Sequence, residues 1–236
     1  NAFRMDPQVP LVIPEINGDT LREHRGLIAS PNCSTTQLVM VLHPLRQAAA
    51  LERVLVSTYQ AVSGTGADAL EELDGQVAGG DGCAVYPRPI AFNVLPHCDA
   101  FGDAGYTGEE WKLVHESRRI LGLPDLRISA TAVRVPVRVG HSEAVWVALD
   151  RPLEPDAVRR LLADAPGVRV VDDPPAGAYP TPLDADGNDD VWVGRIRRDP
   201  NDDHALWLWI VSDNLRKGAA TNAVQIAERL DAWSLI

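Results

Sequence analysis

The sequence predicts an α/β domain built on a mixed sheet, of the α+β kind, and three observations carry that prediction. Strand-like and helix-like hydrophobic periods alternate along the chain with no internal repeat. At 236 residues, 45% of them hydrophobic, the chain can bury a large core without disulfide staples. Its three cysteines, Cys33, Cys83 and Cys98, make an odd count with no disulfide framework.

Taken in order, Leu11-Val-Ile-Pro14 and Gly26-Leu-Ile-Ala29 read as two short strands around a turn at Asn17-Gly18. Residues 34–45 carry apolar positions at 38, 41, 42 and 45, a helical period, with Ser34 and Thr35 available as caps and Pro44 near the end. Residues 53–59 alternate as a strand and run into Ser63-Gly-Thr-Gly66, followed by a helix over 67–73. Residues 75–103, rich in Gly and Pro, read as irregular connection around the apolar stretch 90–95. Thr107-Gly-Glu-Glu110 is a capping box, opening a helix that buries Trp111, Val114, Ile120 and Leu121 and stops at Gly122. A half-buried strand over 131–139 sets four valines on one face. A helix over 156–164, paired strands over 191–197 and 205–211 joined by Asp199-Pro-Asn-Asp202, and a helix over 215–230 complete the reading.

A net charge of −11, with no basic run able to neutralise phosphates, excludes nucleic acid and anionic membrane as partners. The longest apolar runs, such as 205–211, fall far short of the about 20 residues that span a bilayer. The cysteine count predicts a reducing, cytoplasmic setting. Residues 1–6 do not resemble a signal peptide and do not begin with Met, so the chain reads as part of a longer protein.

The sharpest chemical feature is Ser30-Pro-Asn-Cys33-Ser-Thr-Thr-Gln37. A thiol at a helix N-terminus feels the positive end of the dipole and free backbone N–H groups, which favour thiolate and would stabilise an oxyanion on a carbon bonded to that sulfur. A lone cysteine is ordinarily a small buried hydrophobe, and only this context argues otherwise. On it rests the expectation that Cys33, and neither Cys83 nor Cys98, is the reactive thiol. A thiol nucleophile needs an acid/base partner, and His141, after Gly140 at a strand end, is the best placed. Arg134 lies seven residues earlier, so Gly140 must turn the chain for both to reach one pocket. His97-Cys98-Asp99 lacks a second ligand pair, and no metal is expected. Gly64-Thr-Gly66-Ala-Asp-Ala69 imitates a dinucleotide fingerprint, but the chain then breaks at Gly79-Gly-Asp-Gly82 without entering a second parallel strand, so a Rossmann unit is rejected there.

Six motifs in order, Ser30-Pro-Asn-Cys33-Ser-Thr, Ser57-Thr-Tyr-Gln60-Ala-Val-Ser-Gly64, Ile90-Ala-Phe-Asn93, Arg134-Val-Pro-Val with Gly140-His141-Ser-Glu143, Val193-Gly-Arg-Ile-Arg197 and Asp213-Asn-Leu-Arg-Lys-Gly218, resemble the bacterial aspartate-semialdehyde dehydrogenase family over nearly the whole chain. The resemblance implies NADP-dependent, reversible reductive dephosphorylation of aspartyl phosphate to aspartate semialdehyde, feeding lysine, methionine and threonine synthesis. It implies Cys33 as nucleophile, His141 as acid/base, Gln60 as the substrate-orienting group, Arg134 on the substrate carboxylate and Glu116 on its amino group. Arg4, Asn32 and Arg119 are matched to the phosphate site, and Ser63, Gly64 and Asn214 to the cofactor. Arg119 departs from the lysine that the family places three residues after the glutamate; the i,i+3 spacing from Glu116 still shares one helix face.

The family's glycine-rich opening unit, which holds most of the NADP, is absent from these residues. Residues 1–32 and 213–236 are matched to the remaining edge of that nucleotide-binding domain, and 33–212 to a catalytic and dimerisation domain of the glyceraldehyde-3-phosphate dehydrogenase type, giving a homodimer or homotetramer. The 236 residues alone are expected to dimerise, to bind NADP negligibly and to show no turnover. Two other readings stay open: a catalytically silent dimerisation module, and a sister reductase of acetylglutamyl phosphate.

Overall fold

The computed structural model describes residues 2–236. Its framework is one six-stranded sheet, in the order β2-β1-β3-β6-β5-β4, formed by β1 (Leu51–Gln60), β2 (Arg127–Arg134), β3 (His141–Leu149), β4 (Val168–Val170), β5 (Val191–Arg198) and β6 (Ala205–Ser212). The outer pairs β1/β2 and β4/β5 are parallel, whereas β1/β3, β3/β6 and β5/β6 are antiparallel. The helices are α1 (Pro14–Asn17), α2 (Cys33–Ala48), α3 (Ala67–Val77), α4 (Gly108–Leu121), α5 (Pro155–Ala163), α6 (Pro182–Ala185) and α7 (Thr221–Ala232).

Strand alternation gives the sheet two unlike faces. On one, Val54, Val56, Val145, Val147, Leu208 and Ile210 are buried in a single core with Leu38, Val41, Leu42 and Leu45 of α2 and Leu113, Val114, Ile120 and Leu121 of α4. On the other lie Leu55, Tyr59, Trp146, Trp207 and Trp209, all partly or well exposed. Tyr59 packs on Trp209 at 5.5 Å between ring centroids. The indoles of Trp146 and Trp207, opposite one another across β3 and β6, both donate to Asp199 Oδ2, at 3.0 and 2.8 Å.

The two β5/β6 strands, α5 and the α4 capping box with its left-handed Gly122 stop form as the periodicity predicts. Elsewhere the structure corrects the reading. Residues 11–14 and 26–29 are not strands but a single parallel bridge, Leu11 to Ala29, with α1 and a 3-10 turn (Gly18–Glu23) between them. The cap of α2 is Asn32, not Ser34 or Thr35, and the helix passes through Pro44 to Ala48. The strand placed over 131–139 is β2 ending at Arg134; His141 therefore opens the next strand, β3, instead of trailing the last one. The C-terminal helix begins as a π-helical turn, Arg216–Ala220. A parallel partner for β1 does exist, β2, but only after α3, the irregular segment and α4.

That segment is ordered by α3. Glu72 accepts from the backbone N–H groups of Ala84 and Val85, and Gln76 Oε1 from those of Ile90 and Ala91, around a second apolar cluster with Val62, Leu73 and Leu95. The chain's two ends meet in a third cluster, where Val12 and Leu21 pack on Ile226 and Leu230 of α7.

Candidate active site

Strands β1 and β2 run parallel in register and deliver Gln60 opposite Arg134 at their C-terminal ends, while antiparallel β3 starts at the same edge with His141. The N-terminus of α2 brings Cys33 to this edge, and a cleft of about 510 Å³ gathers Cys33, Gln60, Arg134, Arg4, Glu109 and Lys112. Ser63, Gly64, Asn214 and Gly218 form further wall.

One residue's backbone orients two of these groups. Ala61 N–H donates to His141 Nδ1 at 3.0 Å, and Ala61 C=O accepts from Arg134 Nη1 at 2.7 Å. Because an amide N–H can only donate, Nδ1 must be the acceptor nitrogen, so neutral His141 carries its proton on Nε2. Nε2 is buried with no protein partner, as is Arg134 Nε, and both keep donor capacity for a ligand. Burial, with the Arg134 charge, holds the imidazole well below its ordinary value. Gly140 makes the expected turn, at φ +94°, and Gly64 lies over both side chains: a Cβ there would sit 2.9 Å from Arg134 Nη1 and 3.0 Å from His141 Nε2. Gly218, in the π-helical turn, crosses so close to the thiol that a Cβ would lie 2.8 Å from Cys33 Cβ. The adjacent Lys217 is buried and tied to Glu15 at 2.7 Å and Gln225 at 2.6 Å, fixing that turn.

Asn32 Oδ1 caps α2 by accepting from the N–H groups of Ser34 (3.0 Å) and Thr35 (3.1 Å), while its Nδ2 donates to Glu109 Oε1 at 2.8 Å. Its side chain is thus spent on positioning Cys33 and Glu109. The thiol itself departs from expectation. Burial, reinforced by the Glu109 carboxylate, outweighs the Ser34 N–H and Arg134 and pushes Cys33 up to about 12. Cys83 is exposed and Cys98 buried; burial also raises Cys98, to about 11.

Helix α4 carries the largest correction. Glu116 does not face the cleft: its Oε2 accepts from Asn32 N–H at 2.7 Å and its Oε1 from Arg4 Nη1 at 3.3 Å, behind the cleft wall. Burial raises its carboxyl despite the Arg4 charge. Arg119 is turned to backbone carbonyls, those of Arg4, Asp6 (2.8 Å) and Val9 (2.6 Å). Glu109 and Lys112 stand in the cleft instead, 3.2 Å apart. Seven residues of helix return to nearly the same face about 10.5 Å along the axis, so the same i,i+3 acid/base spacing occurs twice on α4 and the spacing alone cannot choose between them. Glu109 also accepts from Gln60 Nε2 at 3.2 Å. The signal was present in the capping box, whose first glutamate is Glu109; the box accounts only for the second, Glu110.

Ser63 and Asn214 hydrogen-bond one another at 3.0 to 3.2 Å, and Asn214 Oδ1 accepts from Gly140 N–H. These neutral groups beside the thiol suit the amide end of a nicotinamide. Among the described residues no helix is long and apolar enough to cross a membrane, and no group of three His, Cys, Asp or Glu is arranged to hold a metal.

A family model described as the semialdehyde dehydrogenase dimerisation domain matches residues 42–217. The chain is 52% identical to an aspartate-semialdehyde dehydrogenase of Legionella pneumophila, over all of this chain and 70% of that protein. Among solved structures, aspartate semialdehyde dehydrogenase II of Vibrio cholerae complexed with ASA superposes with a TM-score of 0.94 at 42% identity, over 98% of this chain and 70% of that one. The Candida albicans enzyme with NADP superposes with a TM-score of 0.77 at 27% identity, over 100% and 70%.

Proposed function

The chain belongs to the aspartate-semialdehyde dehydrogenase family of oxidoreductases, and from that premise we propose that it forms the catalytic and dimerisation part of an NADP-dependent enzyme that interconverts aspartyl phosphate and aspartate semialdehyde through a thioester on Cys33. The observation that carries the reading is the convergence of Cys33, Gln60 and Arg134, from three separate parts of the chain, on one cleft, with His141 buried behind Gly64 of its wall.

In the oxidative direction Cys33 gives its S–H proton to water entering the cleft, Sγ attacks the aldehyde carbon, and the C=O π pair moves to oxygen. His141 Nε2–H, locked as donor by Ala61, stabilises that oxyanion. The C–H bond then breaks as the oxygen pair re-forms C=O, with the hydride acceptor supplied by NADP when bound; Ser63, Gly64 and Asn214 would hold its nicotinamide end. Phosphate oxygen then attacks the thioester carbon, the C–S bond breaks, and the proton lost by the phosphate restores Cys33 as the thiol. Arg134, with its free Nε–H, is suited to grip the substrate carboxylate. Glu109 takes the role assigned to Glu116, receiving the substrate ammonium beside Gln60. Lys112 takes that of Arg119, joining Arg4 at the phosphate. A free ammonium for Glu109 also favours aspartyl over acetylglutamyl phosphate, since an acetylated amine brings no charge to meet it.

Residues 1–32 and 213–236, whose Leu21 and Ile226 share one apolar cluster, are read as the edge of the nucleotide-binding domain, and 33–212 as the catalytic and dimerisation domain. The products would enter lysine, methionine and threonine synthesis in the cytoplasm. The test is to mix the complete enzyme with NADP and aspartate semialdehyde without phosphate, quench, and map peptides. An aspartyl adduct on Cys33 that phosphate discharges supports the reading; no adduct, or one on Cys98, rejects it.

A further inference from the structure

Building on the reading of Lys112 as a phosphate ligand, one charged cleft residue is left without a substrate group to meet. Arg134, Glu109, and Arg4 with Lys112 answer the carboxylate, ammonium and phosphate in turn. Asp99 also lines the cleft, and its charge opposes an incoming phosphate. The chain nevertheless places this carboxylate with care. Asp99 adopts a left-handed backbone, φ +70°, and its Oδ1 accepts from Ala100 N–H at 2.8 Å. Gly108, at the first turn of α4, leaves the space it fills: a Cβ there would fall 2.7 Å from Asp99 Oδ2. The two are bound together by Gly108 N–H donating to Ala100 C=O at 2.9 Å. Lys112 Nζ meets Asp99 Oδ2 at 2.7 Å, closer than its 3.2 Å to Glu109.

We propose that Asp99 is a displaceable counter-ion of Lys112, a positioning residue that parks the ammonium at the cleft wall while the phosphate site is empty, gives way to the phosphate dianion, and so sets phosphate affinity. The ammonium is thereby pre-placed, and phosphate must compete for it. Asp99 is 42% exposed, so water can take over the carboxylate once released. Its carboxyl is held low by the Lys112 hydrogen bond and then by Ala100 N–H, so the competitor stays charged across the working range.

The test is steady-state kinetics of the complete enzyme carrying Asp99→Asn, which keeps size and an acceptor oxygen but removes charge. For a partly exposed ion pair the expected effect is a fall in KM for phosphate of about two- to fivefold. KM for the semialdehyde stays unchanged, and product inhibition by phosphate in the reverse direction strengthens by the same factor. Gly108→Ala, which crowds the carboxylate aside without altering charge, shifts phosphate KM the same way. A higher phosphate KM in Asp99→Asn, or opposite shifts in the two variants, makes Asp99 a fixed strut and overturns the proposal. Lys112→Met separates the two levels: an unchanged phosphate KM there removes the Lys112 reading and this proposal with it, whereas a raised one leaves Lys112 in place and the Asp99 variants decide.

Discussion

At the scale of single residues, the tautomer of His141 has the most direct kinetic consequence. With Nδ1 committed to Ala61 N–H, His141 works as a neutral donor, so His141→Gln keeps part of the rate while His141→Ala loses about 10²–10³-fold in kcat. Equal loss in both would show that proton transfer by an imidazole is required. Because its folded value lies below the ordinary 6.5, the stability that neutral His141 contributes is present above about pH 6.5 and is lost as pH falls towards the depressed value. Urea titrations of wild type and His141→Gln should therefore diverge below pH 6.5 and not above it. The raised thiol makes a second expectation. Exposed Cys83 is alkylated by iodoacetamide ahead of half-buried Cys33, whose rate keeps climbing from pH 9 to 12, as peptide mapping will show. Helix position alone suggested the reverse order: the sequence displays the dipole, but the Glu109 carboxylate and the enclosing walls come from residues far along the chain.

At the scale of elements, α4 separates what a motif can and cannot say. Its start at Thr107, its stop at Gly122 and its buried face were legible, because caps and periodicity are local. Which of two acid/base pairs meets the cleft was not, because both lie on one face and only the distance to the sheet edge distinguishes them. The two pairs should therefore respond in opposite ways. Arg119→Met loses backbone partners at Arg4, Asp6 and Val9 and lowers stability by about 2 kcal/mol with phosphate KM unchanged, whereas Lys112→Met raises phosphate KM at unchanged melting temperature. Calorimetry and kinetics on the same preparations check both. The boundary at Arg134 was missed for a similar reason. Val133, Val135, Val137 and Val139 continue an alternating pattern, yet Pro136 and the need to bring His141 back beside Gln60 end the strand at Arg134, one residue before the second of those valines.

At the scale of the whole molecule, the sheet order explains both the site and the more open face. Placing β1 between parallel β2 and antiparallel β3 brings three strand ends to one edge, while the long helices α2 and α4 cover the other side from the tryptophans. The tryptophan side, where Tyr59 and Trp207 stay partly exposed and Trp209 donates to Pro180 C=O, matches a chain whose family model is a dimerisation domain, so Trp209→Glu should turn a dimer into a monomer in sedimentation velocity; an unchanged dimer would place the interface elsewhere. These 236 residues, dimeric or not, should bind NADP too weakly for calorimetric detection, because the neutral groups near Cys33 meet only one end of it. The crossing of Gly218 over Cys33 bears on a different moment in the protein's life. The nucleophile is made early and its last wall late. At about 5–20 residues per second, roughly 10–40 s pass on the ribosome between residues 33 and 218. During that interval the thiol has the ordinary acidity of an open chain and is far more of a thiolate than in the finished enzyme, so the nascent chain is the form most open to peroxide. Folding, in this protein, is also the step that encloses its own nucleophile.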